Sequence, residues 1–339
     1  MTAPGGPPYS NRSGINVDGA GAGTWMVQRT RDRLPRPPEQ PIVGMAPDLA
    51  FIHANREEPA LTWIGHSSFL LQIDGVNLLI DPVFSRRASP VWFAGPLRHQ
   101  PPGLRADQLP RIDAVLLSHN HYDHLDRRSM RDVAVQTGGA PAFIVPRGTE
   151  SWFATNLPRA ARDARIIGCA WDEVVRWPGR TRELELHFLA VQHWSNRTML
   201  DRNQSLWGSW AIVHPDFRFW YSGDLGYSNE PREIGARFGH FDAAAIAIGA
   251  YEPRWFMRTQ HVNPEEAVQV MLDVNAREAI GVHWGTFALT DEPLDQPPRD
   301  LSAALTARGL PLDRFRVLRH GETRRFRLPD TPAAADTPG

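Results

Sequence analysis

The sequence predicts an α/β sandwich of mixed strands and helices opened by a β-hairpin, and three observations predict it. Two apolar runs, L-T-W-I-G-H-S-S-F-L-L-Q-I-D and V-N-L-L-I-D-P-V-F, flank the pair Asp74-Gly75. Such a pair marks a hairpin, because the tight turn needs residues that tolerate positive φ. Further strand-like runs are interspersed with helix-like segments along the chain, which favours mixed layers over an all-β fold or a helical bundle. The segment N-P-E-E-A-V-Q-V-M-L-D offers Asn263 as N-cap, a proline at the first helical position and acids in the first turn, a complete helix-start signal.

In chain order, residues 1 to about 45 are rich in Pro, Gly and Arg, with G-A-G-A-G and R-L-P-R-P-P-E-Q-P. Such a composition buries little apolar surface and reads as a flexible arm. After the hairpin, strands are expected at 114–118, 142–146, 184–191, 209–213, 217–222, 243–248 and 279–283. Helices are expected near 127–137, 149–156, 231–238, 264–275 and 298–308. No linker or repeat interrupts residues 46–326, which read as one domain, and 327–339 read as a disordered tail.

Composition narrows the function. The chain has 339 residues, a net charge of −1 and arginine as its only basic residue besides 13 histidines, so no bulk electrostatics argues for nucleic acid. The one cysteine, Cys169 in R-I-I-G-C-A-W, cannot form an internal disulfide and reads as a small core residue. No apolar run approaches the ~20 residues that span a bilayer, and M-T-A-P-G-G-P-P-Y-S lacks the basic start and apolar stretch of a secretory signal. A cytoplasmic protein is expected, with peripheral membrane contact left open.

The chemistry gathers at strand ends. The run A-V-L-L-S leads into His119, L-E-L-H-F-L-A-V-Q into His193, F-R-F-W-Y-S-G into Asp224 and A-I-G-V into His283. A sheet holds such residues firmly while their side chains face an open edge. Within H-N-H-Y-D-H, His119 and His121 are two apart, so in an extended segment they point the same way and hold one metal. Asp123 and His124 follow a turn and reach a second. His193 completes the first trio and His283 the second, with Asp224 bridging both. A lone histidine at a strand end is ordinarily a packed or capping residue; five histidines and two aspartates in this order indicate two metals.

H-N-H-Y-D-H is the H-x-H-x-D-H signature of the metallo-β-lactamase superfamily, which the chain therefore resembles. The resemblance implies the αβ/βα sandwich of that superfamily, two mixed β-sheets flanked by helices. Longer segments resemble the N-acyl-phosphatidylethanolamine-hydrolysing phospholipases D within it: T-W-I-G-H, D-P-V-F-S-R-R-A-S-P, L-W-G-S-W, I-G-A-Y-E-P-R-W-F-M, Q-H-V-N-P-E-E-A-V and H-W-G-T-F-A-L. They span roughly 60 to 320; the arm lies outside, and Leu225 departs from an expected threonine after Asp224. The family implies zinc on His119, His121 and His193, a second zinc on Asp123, His124 and His283, and Asp224 shared, though such a ligand set also accepts iron or manganese. Two zinc ions would lower the pKa of a bridging water and supply a hydroxide nucleophile. The family further implies a homodimer.

Asp81, in I-D-P, is carried over from the family as important for activity and is expected to orient a ligand histidine. His261, in T-Q-H-V, is expected at the substrate phosphate or leaving oxygen, and His66 as either a support or a structural residue. Asn120 stands where diiron relatives use a carboxylate, which argues against oxygen chemistry. Trp92 and Phe93, with Arg254, Trp255, Phe256 and Gln260, pair bulky apolar groups with arginine and polar neighbours, a combination suited to acyl chains beside phosphate. The function expected is a di-zinc phosphodiesterase cleaving N-acyl-phosphatidylethanolamine-type phospholipids to N-acylethanolamine and phosphatidate. The alternative is a metal-dependent lactonase or esterase of small polar substrates, resembling the ascorbate-phosphate lactonases.

Overall fold

Asp74 and Gly75 form the tight turn expected of them, both at positive φ (47° and 78°). They join β2 (Ser68–Ile73) to β3 (Val76–Ile80) in antiparallel register in the computed structural model, which describes residues 9–15, 17, 19–198 and 200–326. The run before the turn is two strands, not one. Gly65 and His66 take positive φ and fold β1 (Ala60–Gly65) back onto β2. To this meander β4 (Ala114–Leu116), β5 (Ala142–Pro146) and β6 (Ile166–Cys169) add in parallel.

The second sheet mirrors the first. An antiparallel series of β7 (Val174–Pro178), β8 (Glu183–Leu189), β9 (Ser209–His214) and β10 (Phe217–Tyr221) is followed by parallel β11 (Phe241–Ala247), β12 (Ala276–Val282) and β13 (Phe315–Val317). The last strand, β14 (Thr323–Arg325), returns to pair with β1. Each sheet has seven strands, ordered β14-β1-β2-β3-β4-β5-β6 and β13-β12-β11-β10-β9-β8-β7. The helices are α1 (Ala22–Arg31), α2 (Leu49–Ala54), α3 (Arg127–Ala134), α4 (Glu150–Asn156), α5 (Glu230–Phe238), α6 (Arg254–Met257), α7 (Pro264–Asp273) and α8 (Gln296–Ala307). Asn263 caps α7 as expected, accepting from Glu266 N while Glu266 reaches back to Asn263 N.

Three apolar clusters make this a sandwich of four layers. Trp63, Phe69, Phe188, Trp210 and Tyr221 pack between the sheets. Ile234, Val268, Met271, Leu301 and Leu305 seat α5, α7 and α8 on the second sheet. Ile52, Met130, Val133 and Phe153 seat α2, α3 and α4 on the first. This is the αβ/βα arrangement expected. Cys169 is buried in the central layer, and burial pushes its thiol up to about 12, so it is chemically inert there.

Residues 9–45, expected as a flexible arm, are docked on the domain where they are described. Polar anchors join a little apolar burial, that of Val17 and Ile42. Trp25 Nε1 donates to Asp291 Oδ2 at 3.0 Å and packs on Phe256, while Arg29 donates to the carbonyls of Ala288 and Leu289. Residues 1–8 of that segment and the expected tail 327–339 lie outside the described residues.

Candidate metal centre

Parallel pairing puts the working ends of five strands at one edge. Asp81 follows β3, and His119 lies beyond β4, its parallel neighbour; Asp224 and His283 lie beyond β10 and β12, and β8 runs the same way toward His193. Asp81 (φ 39°), His66 (φ 55°) and His283 (φ 62°) all hold left-handed backbone conformations, strain that tends to persist where surrounding contacts enforce it. Gly223, at φ 59°, precedes Asp224 because a Cβ there would stand 2.5 Å from the Gly208 carbonyl oxygen.

The seven expected ligands converge in two groups. His119, His121, His193 and Asp224 offer one set of donor atoms lying within 4.8 Å of one another, and Asp123, His124 and His283, with His66, offer another. Asp224 Oδ2 stands between them, 3.2 and 3.1 Å from Nε2 of His124 and His283, and 3.7 and 3.8 Å from Nε2 of His119 and His193. Nε2 of His121, Nε2 of His124, both ring nitrogens of His283 and Oδ1 of Asp224 are buried without hydrogen-bond partners. Orphaned donor atoms of this kind are costly unless something binds them, and imidazole nitrogen with carboxylate oxygen is the donor set of zinc. The residues fit a two-metal centre.

Electrostatics divide the histidines. Burial, joined by neighbouring imidazoles, holds His121 down to about 3, His66 to about 3 and His119 well below its ordinary value. Burial likewise lowers His193 to about 4 although Asp224 pulls the other way. His119, His121 and His193 are thus neutral rings with lone pairs that could serve a metal. For His124 and His283 burial is outweighed by Asp224 and Asp123, lifting His124 well above its ordinary value and His283 to about 9. Burial would also raise the two aspartates, but the imidazoles around them hold both well below the carboxylate range.

The supporting shell is explicit. Asp81 Oδ2 accepts from His124 Nδ1 at 2.8 Å and Tyr221 OH at 2.7 Å, and also from Ser118 Oγ; its Oδ1 accepts from Ser118 N at 2.7 Å. A proton on Nδ1 leaves His124 Nε2 free for metal. His66 Nε2 lies 2.9 Å from Asp123 Oδ2 and fixes that carboxylate. His193 Nδ1 is 2.9 Å from the Gln260 carbonyl oxygen. Asn120 turns away from the centre, accepting from Asn196 N at 2.8 Å.

A cavity of ≈ 550 Å³ opens on the centre, walled by Trp25, Tyr122, Trp194, Phe256, Met257 and Leu289, with His121, Asp123, Asp224, Gln260 and His261 at its floor. His261 lies between the two groups, its ring 5.3 Å from those of His193 and His283, and burial keeps it neutral. Of the residues expected at the substrate, Phe256, Gln260 and His261 line this cavity. Arg254 does not; it donates to Glu266 Oε2 at 2.6 Å and to the His261 carbonyl at 2.8 Å, and so holds the His261 backbone. Trp92, Phe93 and Trp255 stand 87 %, 64 % and 57 % exposed and are not among the lining residues. The sequence reading missed Trp25, Tyr122, Trp194, Met257 and Leu289 as lining. Tyr122 and Trp194 carried a signal, since each adjoins an expected ligand.

Comparison with known proteins agrees with the geometry. The beta-lactamase superfamily domain model matches residues 76–284. The chain is 38% identical over 240 residues to N-acyl-phosphatidylethanolamine-hydrolyzing phospholipase D 1 of Caenorhabditis elegans, covering 70% of this chain and 67% of that one. It is 32% identical to the mitochondrial N-acyl-phosphatidylethanolamine-hydrolyzing phospholipase D of Saccharomyces cerevisiae, covering 71% of this chain and 50%, half, of that one. Among solved structures, Igni18, a metallo hydrolase from Ignicoccus hospitalis, superposes with a TM-score of 0.60 at 19% identity, over 80% of this chain and 100% of that one. That last likeness is one of fold.

Proposed function

The chain belongs to the metallo-β-lactamase superfamily as an N-acyl-phosphatidylethanolamine-hydrolysing phospholipase D-like member, and from that premise we propose a di-zinc phosphodiesterase of N-acyl-phosphatidylethanolamine-type lipids. It is a metal-dependent hydrolase; the metal, the substrate and the products, N-acylethanolamine and phosphatidate, are our reading. The observation that carries it is a largely aromatic and aliphatic cavity opening directly onto two groups of metal donors that share Asp224. A small polar ester or lactone would have no use for the walls of Trp25, Phe256, Met257 and Leu289.

His119, His121, His193 and Asp224 would hold one ion, and Asp123, His124, His283 and Asp224 the other. Bound there, two cations would supply Lewis acidity that activates water and would neutralise charge developing on phosphate oxygens. The chain's own residues do the rest. His261 is neutral and lines the cavity, where its ring offers a hydrogen bond to a phosphate or leaving oxygen. Gln260 steadies the floor, its carbonyl on His193 and its Oε1 accepting from Trp194 Nε1 at 2.7 Å. The cavity walls take acyl chains and exclude water.

Peripheral membrane contact and a homodimer belong to the same reading. Trp92, Phe93, Trp255 and, on α1, Met26 and Val27 supply exposed apolar surface for such contact. Among the described residues no helix is long and apolar enough to cross a membrane. The test joins metal analysis to a panel of N-acyl phospholipids, simple phosphodiesters and lactones. Two zinc per chain with lipid cleavage is the expected result; lactone turnover without lipid cleavage sinks the proposal.

A further inference from the structure

We propose that Asn11 is a positioning residue of the metal centre, locking the backbone of the ligand His193 from the N-terminal segment. This segment lies outside residues 76–284, the part matched by the superfamily model. The inference rests on the two-metal reading above and assigns a role to a stretch that composition alone would discount.

His119 and Asp224 come within three residues of a strand end, and His283 directly follows one, so the sheet ladder sets their positions. His193 is different. It lies four residues past the end of β8, beyond the ladder save for the isolated bridge of Gln192 to Gly226, yet it is 1 % exposed, so its backbone N–H and carbonyl have no recourse to water. Asn11 satisfies both: its Nδ2 donates to the His193 carbonyl at 2.9 Å, and its Oδ1 accepts from His193 N at 3.0 Å.

The amide is itself fully engaged. Nδ2 also donates to the Ile15 carbonyl at 3.0 Å, and Oδ1 also accepts from Trp207 Nε1 at 3.2 Å. Two donors and two acceptor lone pairs are therefore all in use, which only a carboxamide of this length provides. Neighbouring contacts hold the clasp in place. Tyr9 N donates to the Asn203 carbonyl at 2.9 Å, Ser13 Oγ donates to Gln192 Oε1, and Gln192 Nε2 donates to the Ile15 carbonyl at 3.1 Å. With its backbone fixed on one side and Nδ1 on the Gln260 carbonyl, the His193 ring is left with Nε2 directed at His121 and Asp224. Partners that orient ligands in this way typically carry about 10–100-fold in metal affinity.

The test uses the full chain loaded with zinc and follows release of each ion to a chelator, with Tm measured in parallel. Asn11→Ala is compared with Asn77→Ala, a buried asparagine of β3 that donates to the Arg111 carbonyl at 2.8 Å away from the centre. In Asn11→Ala one of the two ions, that of the His193 group, is expected to leave about 10–100-fold faster. The other ion is held as in the wild type, and Asn77→Ala keeps both even where its Tm falls as far. Asn11→Asp retains the acceptor for His193 N and Trp207 but sets its second oxygen against the His193 and Ile15 carbonyls, so it too is expected to release that ion faster than wild type, and it serves if the alanine variant does not fold. Wild-type retention of both ions in the Asn11 variants, or equal loosening in Asn77→Ala, overturns the proposal. A wild-type chain that takes up fewer than two ions overturns the two-metal reading beneath it.

Discussion

Replacing Asp81 by asparagine changes one oxygen to an amide nitrogen and is expected to loosen a metal site that Asp81 never touches. The carboxylate meets four donors, Ser118 N on Oδ1 and Ser118 Oγ, Tyr221 OH and His124 Nδ1 on Oδ2. An amide cannot serve all of them. With its oxygen toward His124, its NH₂ faces the buried Ser118 N–H, and an unsatisfied buried donor costs about 1–3 kcal/mol. With its oxygen toward Ser118 N, the NH₂ faces His124 Nδ1. That ring must then accept at Nδ1 and carry its proton on Nε2, the atom 3.2 Å from Asp224, where it blocks coordination. The first arrangement is the milder, and it still leaves His124 with a neutral acceptor and a less basic Nε2. The expected outcome for Asp81→Asn is a stability loss of about 1–3 kcal/mol and metal affinity or turnover reduced about 10–100-fold. Chemical denaturation measures the first; metal analysis after dialysis against graded chelator, with turnover of a phosphodiester, measures the second. Metal content and turnover within about twofold of wild type would refute the assignment of the His124 tautomer to Asp81.

Three other outcomes are expected. Asp224→Asn removes the charge shared by four imidazoles and should lower turnover beyond the about 10–100-fold that supporting partners carry; near-normal steady-state rates would show the bridge misassigned. Phe256→Ala opens the cavity wall that packs against Trp25 and should raise KM for a long-chain lipid about tenfold, from about 1.5 kcal/mol of lost apolar contact, while a short-chain phosphodiester keeps its KM. Buried His320 is held down to about 3 by burial and by Arg98 and His99, against an ordinary 6.5. The unfolded chain therefore takes up this proton first, so the group costs stability as pH falls from 6.5 toward 3, about 2 kcal/mol by pH 5. Denaturation of the zinc-loaded protein at pH 7 and pH 5 should show His320→Gln losing about that much less than wild type, and equal losses would refute it.

What could be read from the sequence follows from which constraints act on residue type and which act on position. A metal ligand must be histidine or carboxylate, so H-N-H-Y-D-H and the residues beyond β8, β10 and β12 were visible as chemistry before any fold was known. The strands β4 and β5 were visible because burial on both faces writes continuous apolar runs, A-V-L and A-F-I-V. By contrast β7, an edge strand whose residues alternate between exposed and half-buried, leaves no apolar run to detect, and β13 and β14 are only three residues each. Arg254 and Trp92 misled for a related reason. An arginine beside aromatics suits a phosphate and an acyl chain equally whether it lines a cavity or, as here, is consumed by Glu266 twelve residues on. Supporting residues are the hardest case, because any acid or amide of suitable length will serve and the partner is chosen by the fold. Asp81 meets Tyr221 across 140 residues, and Asn11 meets His193 across 182, distances over which no periodicity or spacing survives. The candidate donor atoms are thus legible as residue types in short motifs and at strand ends, while the contacts that hold them depend on the closed sandwich and, on the proposal for Asn11, on the N-terminal segment.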